Sequence, residues 1–96
     1  MGRLGTLFCI LIQYIYFIMW KENNNALYRK FEFTDFNAAF GFMCRVALIA
    51  EKMDHHPRWT NSWNIVEIWL STHDAGNIIS EKDRELAKKI DAIHQP

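Results

Sequence analysis

The stretch from Ala26 to Met53, ALYRKFEFTDFNAAFGFMCRVALIAEKM, changes its apolar repeat near Thr34. Before that residue apolar and polar side chains largely alternate, which predicts a half-buried strand over residues 26–33. Thr34-Asp35 then supplies a helix N-cap, and apolar residues recur every three or four positions as far as Met53, which predicts a long helix. A strand that leads directly into a helix begins an α+β pattern.

The predicted helix carries two adjoining apolar stripes. One comprises Phe36, Phe40, Met43, Ala47 and Ala50, and the other comprises Ala39, Phe42, Val46, Ile49 and Met53. Together they cover roughly half of the helix surface, more than the usual apolar face of about 100°. One stripe can pack on a sheet. The second needs another partner, and the periodicity leaves open whether this is a terminal helix of the same chain or another subunit.

The second half of the chain repeats the alternation of strand and helix. Residues 63–72, WNIVEIWLST, predict a strand with Val66, Ile68 and Leu70 on one face. The other face is more apolar than a solvated face should be, since it carries Ile65, Glu67 and Trp69. Ser80, with Asp83 three residues later as a weak capping box, predicts the start of a last helix. The apolar stripe of that helix comprises Leu86, Ala87, Ile90 and Ile93. Asn23-Asn24-Asn25 predicts a turn, and the expected fold class is α+β with helices packed on an antiparallel sheet.

The bulk properties describe one small domain without a charged binding surface. The chain has 96 residues, with 11 basic and 11 acidic side chains, so its formal net charge is zero. This balance does not indicate a surface for nucleic acid or for anionic membranes. The two cysteines, Cys9 and Cys44, form neither a CxxC pair nor a zinc spacing, which favours a reduced, intracellular protein.

The N-terminal segment Leu4–Trp20, LGTLFCILIQYIYFIMW, conflicts with that picture because it is almost free of charge. About 17 apolar residues are the lower limit for a membrane-spanning helix. The segment also resembles a signal sequence, but no good cleavage site follows it. We therefore separate an atypical apolar segment, residues 1–19, from a domain at residues 20–96. A membrane or targeting role, packing within the domain or its oligomer, and a variant N-terminus outside the working enzyme remain alternatives.

A histidine cluster is the strongest indication of chemistry. Residues 50–59 read AEKMDHHPRW, which contains His55 and His56, and His73 follows the second predicted strand. Pro57 disfavours helical backbone at the residue before it, so the pair is expected on a constrained loop just past a helix. Histidine titrates near neutral pH and can therefore give and take protons there.

Three interpretations of this cluster are possible. A metal site is disfavoured because adjacent histidines diverge on regular backbone, so His73 and a carboxylate would have to converge with them. Acid/base catalysis would use the histidines, with Glu51 or Asp54 to orient one of them, in an elimination, addition or isomerisation without a redox cofactor. The third interpretation is purely structural, since a histidine before a proline can cap a helix. His94 lies in the polar tail and receives no role.

Three segments resemble a known family. They are FEFTDFNAAFGFMCRVALIAEKM from Phe31, EKMDHHP from Glu51, and WNIVEIWLSTHD ending at Asp74. Together with Asn61 they resemble pterin-4a-carbinolamine dehydratase, also called 4a-hydroxytetrahydrobiopterin dehydratase or dimerisation cofactor, over about residues 26–93. The resemblance implies a four-stranded antiparallel sheet with helices on one face. It also implies dimers that join sheets edge to edge, and tetramers that pack the long helices together.

The resemblance further implies a reaction and a set of site residues. The reaction is dehydration of 4a-hydroxytetrahydrobiopterin to quinonoid dihydrobiopterin, a recycling step that needs no metal or other cofactor. His55 and His73 would be general acids for the departing hydroxyl, and His56 would bind the pterin and assist proton removal. The substrate pocket would also include Asp54, Ser71, Thr72 and Asp74, with supporting roles for Glu51, Pro57 and Trp59.

Partners and location follow from the same resemblance. The expected partners are the pterin, further copies of the chain in a homodimer or homotetramer, and, as an alternative function, a homeodomain transcription factor for which the protein is a coactivator. No direct contact with nucleic acid is expected. The expected location is the cytoplasm, with the nucleus and a membrane anchored through residues 4–20 as alternatives. The family usually begins with a charged amphipathic helix, so the apolar Leu4–Met19 segment departs from its pattern.

Overall fold

A computed structural model describes residues 19–94 of the chain. Its elements in chain order are β1 (Lys21–Asn23), β2 (Ala26–Glu32), α1 (Phe36–Met53), β3 (Arg58–Ser62), β4 (Ile65–Leu70), a 3-10 turn (His73–Ala75) and α2 (Glu81–His94). The strands form one antiparallel sheet in the order β1-β2-β4-β3. The α+β class predicted from the sequence is confirmed.

The hairpin that joins β1 to β2 turns at Asn24 and Asn25. Both residues have left-handed backbone, with φ of 52° and 63°, which asparagine tolerates better than most side chains. The turn predicted at the three asparagines is confirmed. Strand β1 itself was not predicted, because its three residues are all exposed and show no apolar alternation.

The hairpin that joins β3 to β4 corrects the predicted strand at residues 63–72. Trp63 has a φ of 50° and lies in the turn, so β4 begins only at Ile65. Asn61 stabilises this turn, since its side-chain amide donates to the carbonyls of Trp63 and Ile65 at 3.2 and 2.9 Å. The predicted face with Val66, Ile68 and Leu70 is the inward one, because these three residues are fully buried against the helices.

Helix α1 begins and ends where the sequence predicts. The Asp35 side chain caps it by accepting a hydrogen bond from the amide of Ala38 at 2.8 Å. Its buried residues are Ala39, Phe42, Val46 and Ala50, which belong mainly to the second predicted stripe. On the other side Phe36, Phe40 and Leu48 stay 47%, 51% and 74% exposed. Helix α2 packs on α1 but does not cover this side within residues 19–94.

Helix α2 buries the predicted residues Leu86, Ala87 and Ile90. Its last residue, His94, lies in an aromatic cluster with Phe31, Phe33 and Phe42 at centroid distances of 4.9, 5.4 and 5.5 Å. Burial, and next the nearby Arg29 guanidinium, lower the pKa of His94, although Asp91 opposes the change. The expectation that His94 lies in a polar tail was therefore wrong.

The predictions for residues 1–18 lie outside the described part of the chain. Between Met19 and His94 no helix combines the length and the apolar character needed to cross a membrane.

Candidate active site

The end of α1 separates the two adjacent histidines. Asp54 follows the helix in left-handed backbone, with φ of 51° and ψ of 43°, and its amide donates to the carbonyls of Ala50 and Glu51. The amide of His55 also donates to Ala50, at 3.0 Å. Strand β3 then starts directly after Pro57. This tight reversal leaves the side chain of His55 buried and that of His56 exposed.

His55 is hydrogen-bonded to a buried aspartate at the start of α2. Its Nε2 lies 2.5 Å from Oδ1 of Asp83, whose side chain is completely buried. An ionised carboxylate can only accept hydrogen bonds, so Nε2 carries the proton and Nδ1 is the ring nitrogen left for other partners. The pair joins the end of α1 to the first turn of α2, across 28 positions of sequence.

The second oxygen of Asp83 binds two further groups. Oδ2 accepts the hydroxyl of Thr72 at 2.8 Å and the amide of Ser80 at 2.8 Å. Because the Thr72 hydroxyl donates to Asp83, its oxygen accepts from the hydroxyl of Ser80, which lies 2.6 Å away. Among residues 19–94 no buried side-chain nitrogen or oxygen lacks a hydrogen-bond partner. The network therefore compensates the buried carboxylate fully.

Asp83 was predicted only as part of a capping box. Its bond to the amide of Ser80 confirms that box, but its contact with His55 was missed. The sequence does contain a signal for it, because Asp83 lies three and four positions before Leu86 and Ala87, in line with the apolar stripe of α2. A carboxylate within an apolar stripe needs a buried polar partner.

The other two histidines lie in exposed positions. His56 Nε2 is 2.8 Å from Oε1 of Glu51, and the two side chains are 57% and 80% exposed. His73 opens the 3-10 turn, and its Nδ1 is 2.7 Å from Oδ1 of Asn77. In each of the three histidines, one ring nitrogen is hydrogen-bonded to a side-chain oxygen, and this contact orients the ring. The other ring nitrogen is then the one that could contact a substrate.

All three histidines line one cleft of about 480 Å³, a volume typical of small-molecule sites. The cleft lies between the end of α1, the loop after β4 and the start of α2. Its lining residues are Asp54, His55, His56, Pro57, Arg58, Ser71, Thr72, His73, Asp74 and Lys82. The structure thus brings together every residue predicted for the substrate pocket and adds Arg58 and Lys82, which the sequence analysis missed.

Two predicted supporting residues do not line the cleft. Glu51 is hydrogen-bonded to His56 but lies outside the cleft. Trp59 packs against the core, since it is the register partner of the inward-facing Ile68. Within residues 19–94 no three His, Cys, Asp or Glu side chains are grouped so that they could hold a metal ion.

Comparison with known protein families shows to which family the chain belongs. Residues 14–93 match the family model described as pterin 4 alpha carbinolamine dehydratase. The chain belongs to this family. A protein of Rhodopseudomonas palustris, provisionally named a pterin-4-alpha-carbinolamine dehydratase, is 54% identical over 76 residues, which are 77% of this chain and 74% of the relative. A relative from Bradyrhizobium sp. with the same provisional name is 57% identical over 76 residues, which are 77% of this chain and 75% of the relative.

Two solved structures are similar to the family member described here. One is a transcriptional coactivator/pterin dehydratase from Brucella melitensis, with a TM-score of 0.75 and 45% identity, covering 78% of this chain and 81% of the other. The second is a pterin dehydratase-like protein identified as a RuBisCO assembly factor in the alpha-carboxysome. Its TM-score is 0.65 at 25% identity, covering 76% of this chain and 86% of the other. The same fold thus carries names for different roles.

Proposed function

We propose that this protein dehydrates 4a-hydroxytetrahydrobiopterin to quinonoid dihydrobiopterin and water. The family supports a dehydratase that acts on a pterin. The observation that carries the proposal is the convergence of His55, His56 and His73 on one cleft of suitable volume. The elimination needs a proton delivered to the departing hydroxyl and a proton removed from the pterin ring, and imidazole groups do both near neutral pH.

In this proposal His55 and His73 are general acids for the departing hydroxyl. Asp83 is a positioning residue, because its carboxylate holds Nε2 of His55 and compensates the positive charge of the protonated ring. Nδ1 of His55 would then exchange protons with the substrate. Asn77 orients His73 in the same way, through a neutral amide.

His56 binds the pterin and assists proton removal, with Glu51 as its orienting partner. The remaining walls shape the pocket. They comprise Asp54, Pro57, Ser71, Thr72 and Asp74. The reaction as proposed uses no metal or other cofactor, since protonation of the hydroxyl is sufficient to make it a leaving group.

The test is a dehydration assay with the purified chain and the variants His55→Ala, His56→Ala and His73→Ala. General acid/base catalysis contributes about 10²–10⁴-fold, so each variant is expected to lose at least about tenfold in kcat/KM. The matched control is His94→Phe, which removes a histidine outside the cleft and keeps an aromatic ring in the cluster. Wild-type turnover in both His55→Ala and His73→Ala would refute the proposed chemistry.

A second candidate function is protein binding through the exposed side of α1. Phe36, Phe40 and Leu48 project there, with the rings of Phe36 and Phe40 5.6 Å apart. The Brucella relative is named a transcriptional coactivator as well as a dehydratase. We propose that this side of α1 packs copies of the chain together in a homotetramer, or binds a homeodomain transcription factor instead.

Sedimentation of wild-type chain and Phe40→Lys tests this surface. A charge at the centre of an apolar interface should dissociate the assembly, or release the transcription factor in a binding assay. Ile78→Lys is a matched control, since Ile78 is 47% exposed but lies on the loop after β4. An assembly and factor binding that both survive Phe40→Lys would rule out this side of α1.

A further inference from the structure

Two cations line the cleft without an acidic partner. Arg58 is the first residue of β3 and Lys82 belongs to the first turn of α2, and both side chains are exposed. The ion pairs found among residues 19–94 include neither of them. The cleft also contains two acids, Asp54 and Asp74, and neither forms an ion pair with Arg58 or Lys82.

Arg58 is held in place by the outer face of the sheet. Its guanidinium carbon lies 4.5 Å from the ring centroid of Trp69, the residue directly opposite in the β3–β4 register. Trp69 in turn packs on Tyr28 at 5.2 Å, and the Tyr28 hydroxyl donates to Glu67 at 3.0 Å. The hydrogen bonds found among residues 19–94 include none from the Arg58 side chain, so the N–H groups of its guanidinium remain available to a ligand.

The pterin ring carries no negative charge with which Arg58 and Lys82 could pair. Its edges offer neutral hydrogen-bonding groups, and the histidines already supply partners for the reacting hydroxyl. A planar guanidinium with free in-plane donors matches a carboxylate or a phosphate, which it can bind through two parallel hydrogen bonds. Lys82, which reaches the same cleft from a different element, adds a second positive charge.

We propose that Arg58 and Lys82 select pterins whose side chain ends in an anion, a carboxylate or a phosphate. This inference rests on the proposed dehydratase function, since it assigns the substrate class of the same cleft. Arg58 acts here as a specificity-determining residue, positioned by Trp69. Tetrahydrobiopterin, whose side chain is neutral, would still be turned over, but with a higher KM than a pterin that offers the two cations an anion.

The experiment compares three 4a-hydroxytetrahydropterins whose side chains are neutral, end in a carboxylate or end in a phosphate. We expect the anionic substrates to have kcat/KM about tenfold higher than the neutral one, mainly through KM, as for a partly exposed charge-assisted hydrogen bond. The preference should shrink as the salt concentration rises from about 0.05 to 0.5 M. The carboxylate and phosphate arms show which anion the pair prefers.

Arg58→Gln and Lys82→Gln should each lower the ratio of anionic to neutral kcat/KM toward one. Lys88→Gln is the matched control, because it removes the same charge from an exposed position of α2 outside the cleft and should keep the ratio. A wild-type ratio near one, or a ratio that Arg58→Gln and Lys82→Gln leave unchanged, would overturn the inference.

A binding measurement separates this inference from the proposed reaction. Stable oxidised pterins with the same three side chains are titrated calorimetrically into wild type, Arg58→Gln and Lys88→Gln. We expect the anionic pterins to bind wild type and Lys88→Gln more tightly than the neutral pterin does, and Arg58→Gln to lose this preference. This result would support the anion site even if none of the proteins showed dehydratase activity. Turnover without any anion preference in binding would leave the dehydratase intact and refute the anion site.

Discussion

His55 and His56 are neighbours in the chain but have opposite environments. His55 is buried and held by a completely buried carboxylate, whereas His56 and its partner Glu51 are both largely exposed. The left-handed residue Asp54 and the immediate start of β3 produce this difference. One short turn can therefore place one histidine in a buried hydrogen-bond network and the next in a solvated position.

The two pairs should also differ in energy. Removing one partner of a buried ion pair leaves an uncompensated charge and costs about 3–5 kcal/mol. An exposed pair contributes about 0–1 kcal/mol, because water solvates both groups and salt screens them. His55–Asp83 is therefore expected to support the fold and the site together, and His56–Glu51 the site alone.

The largest expected effect is that of Asp83→Ala. It removes the acceptor for His55, Thr72 and Ser80, so we expect the free energy of unfolding to fall by about 3–5 kcal/mol in urea denaturation. The loss of His55 orientation should lower kcat by about 100-fold under conditions where the chain is folded. Glu51→Ala is the control for the exposed pair. An Asp83→Ala variant as stable and active as wild type would remove the distinction between the two pairs.

A double-mutant cycle on the two pairs should give the next largest effect. For His55→Ala and Asp83→Ala we expect a coupling energy of about 1–3 kcal/mol in the free energy of unfolding, since the groups are in direct buried contact. The parallel cycle on His56 and Glu51 should give less than about 0.5 kcal/mol. Equal coupling energies in the two cycles would mean that burial does not separate these histidines.

Glu51→Gln should have a smaller effect, confined to activity. The amide keeps a hydrogen-bond acceptor for His56 but loses the charge, so we expect kcat/KM to fall by about fivefold and the free energy of unfolding to change by less than about 0.5 kcal/mol. Steady-state kinetics and urea denaturation measure the two quantities. A large loss of stability would show that the exposed pair is part of the folded framework.

His94 provides a third environment, without a hydrogen-bonded carboxylate, and the smallest expected effect. Its pKa is lowered in the folded state, so the unfolded chain binds its proton first as pH falls. The contribution of neutral His94 to stability should be complete above about pH 6.5 and should decline as pH falls from there through the lowered folded pKa. The difference in unfolding free energy between wild type and His94→Phe, measured at pH 5 to 8, should become less favourable to wild type at low pH. A pH-independent difference would contradict this assignment.

The regular elements with a buried face could be predicted from local sequence. Helix α1 has its cap at Asp35 and its periodic apolar residues, and β4 has the alternation Val66, Ile68 and Leu70. The spacing of the apolar residues distinguishes a helix from a strand, and it also shows which residues share one face of the element. Strands β1 and β3 could not be predicted, since they are short edge strands that depend on pairing with their neighbours.

The candidate site divides in the same way. The available chemistry could be read from the residues alone, namely three histidines at the ends of elements, with Asp54, Thr72 and Asp74 beside them. The contact between His55 and Asp83, and the presence of Arg58 and Lys82 in the same cleft, depend on how the elements pack in three dimensions. The reason is physical. Local periodicity and capping act within a few residues, whereas contacts across 28 positions form only when α2 packs against the end of α1 and buries its carboxylate there.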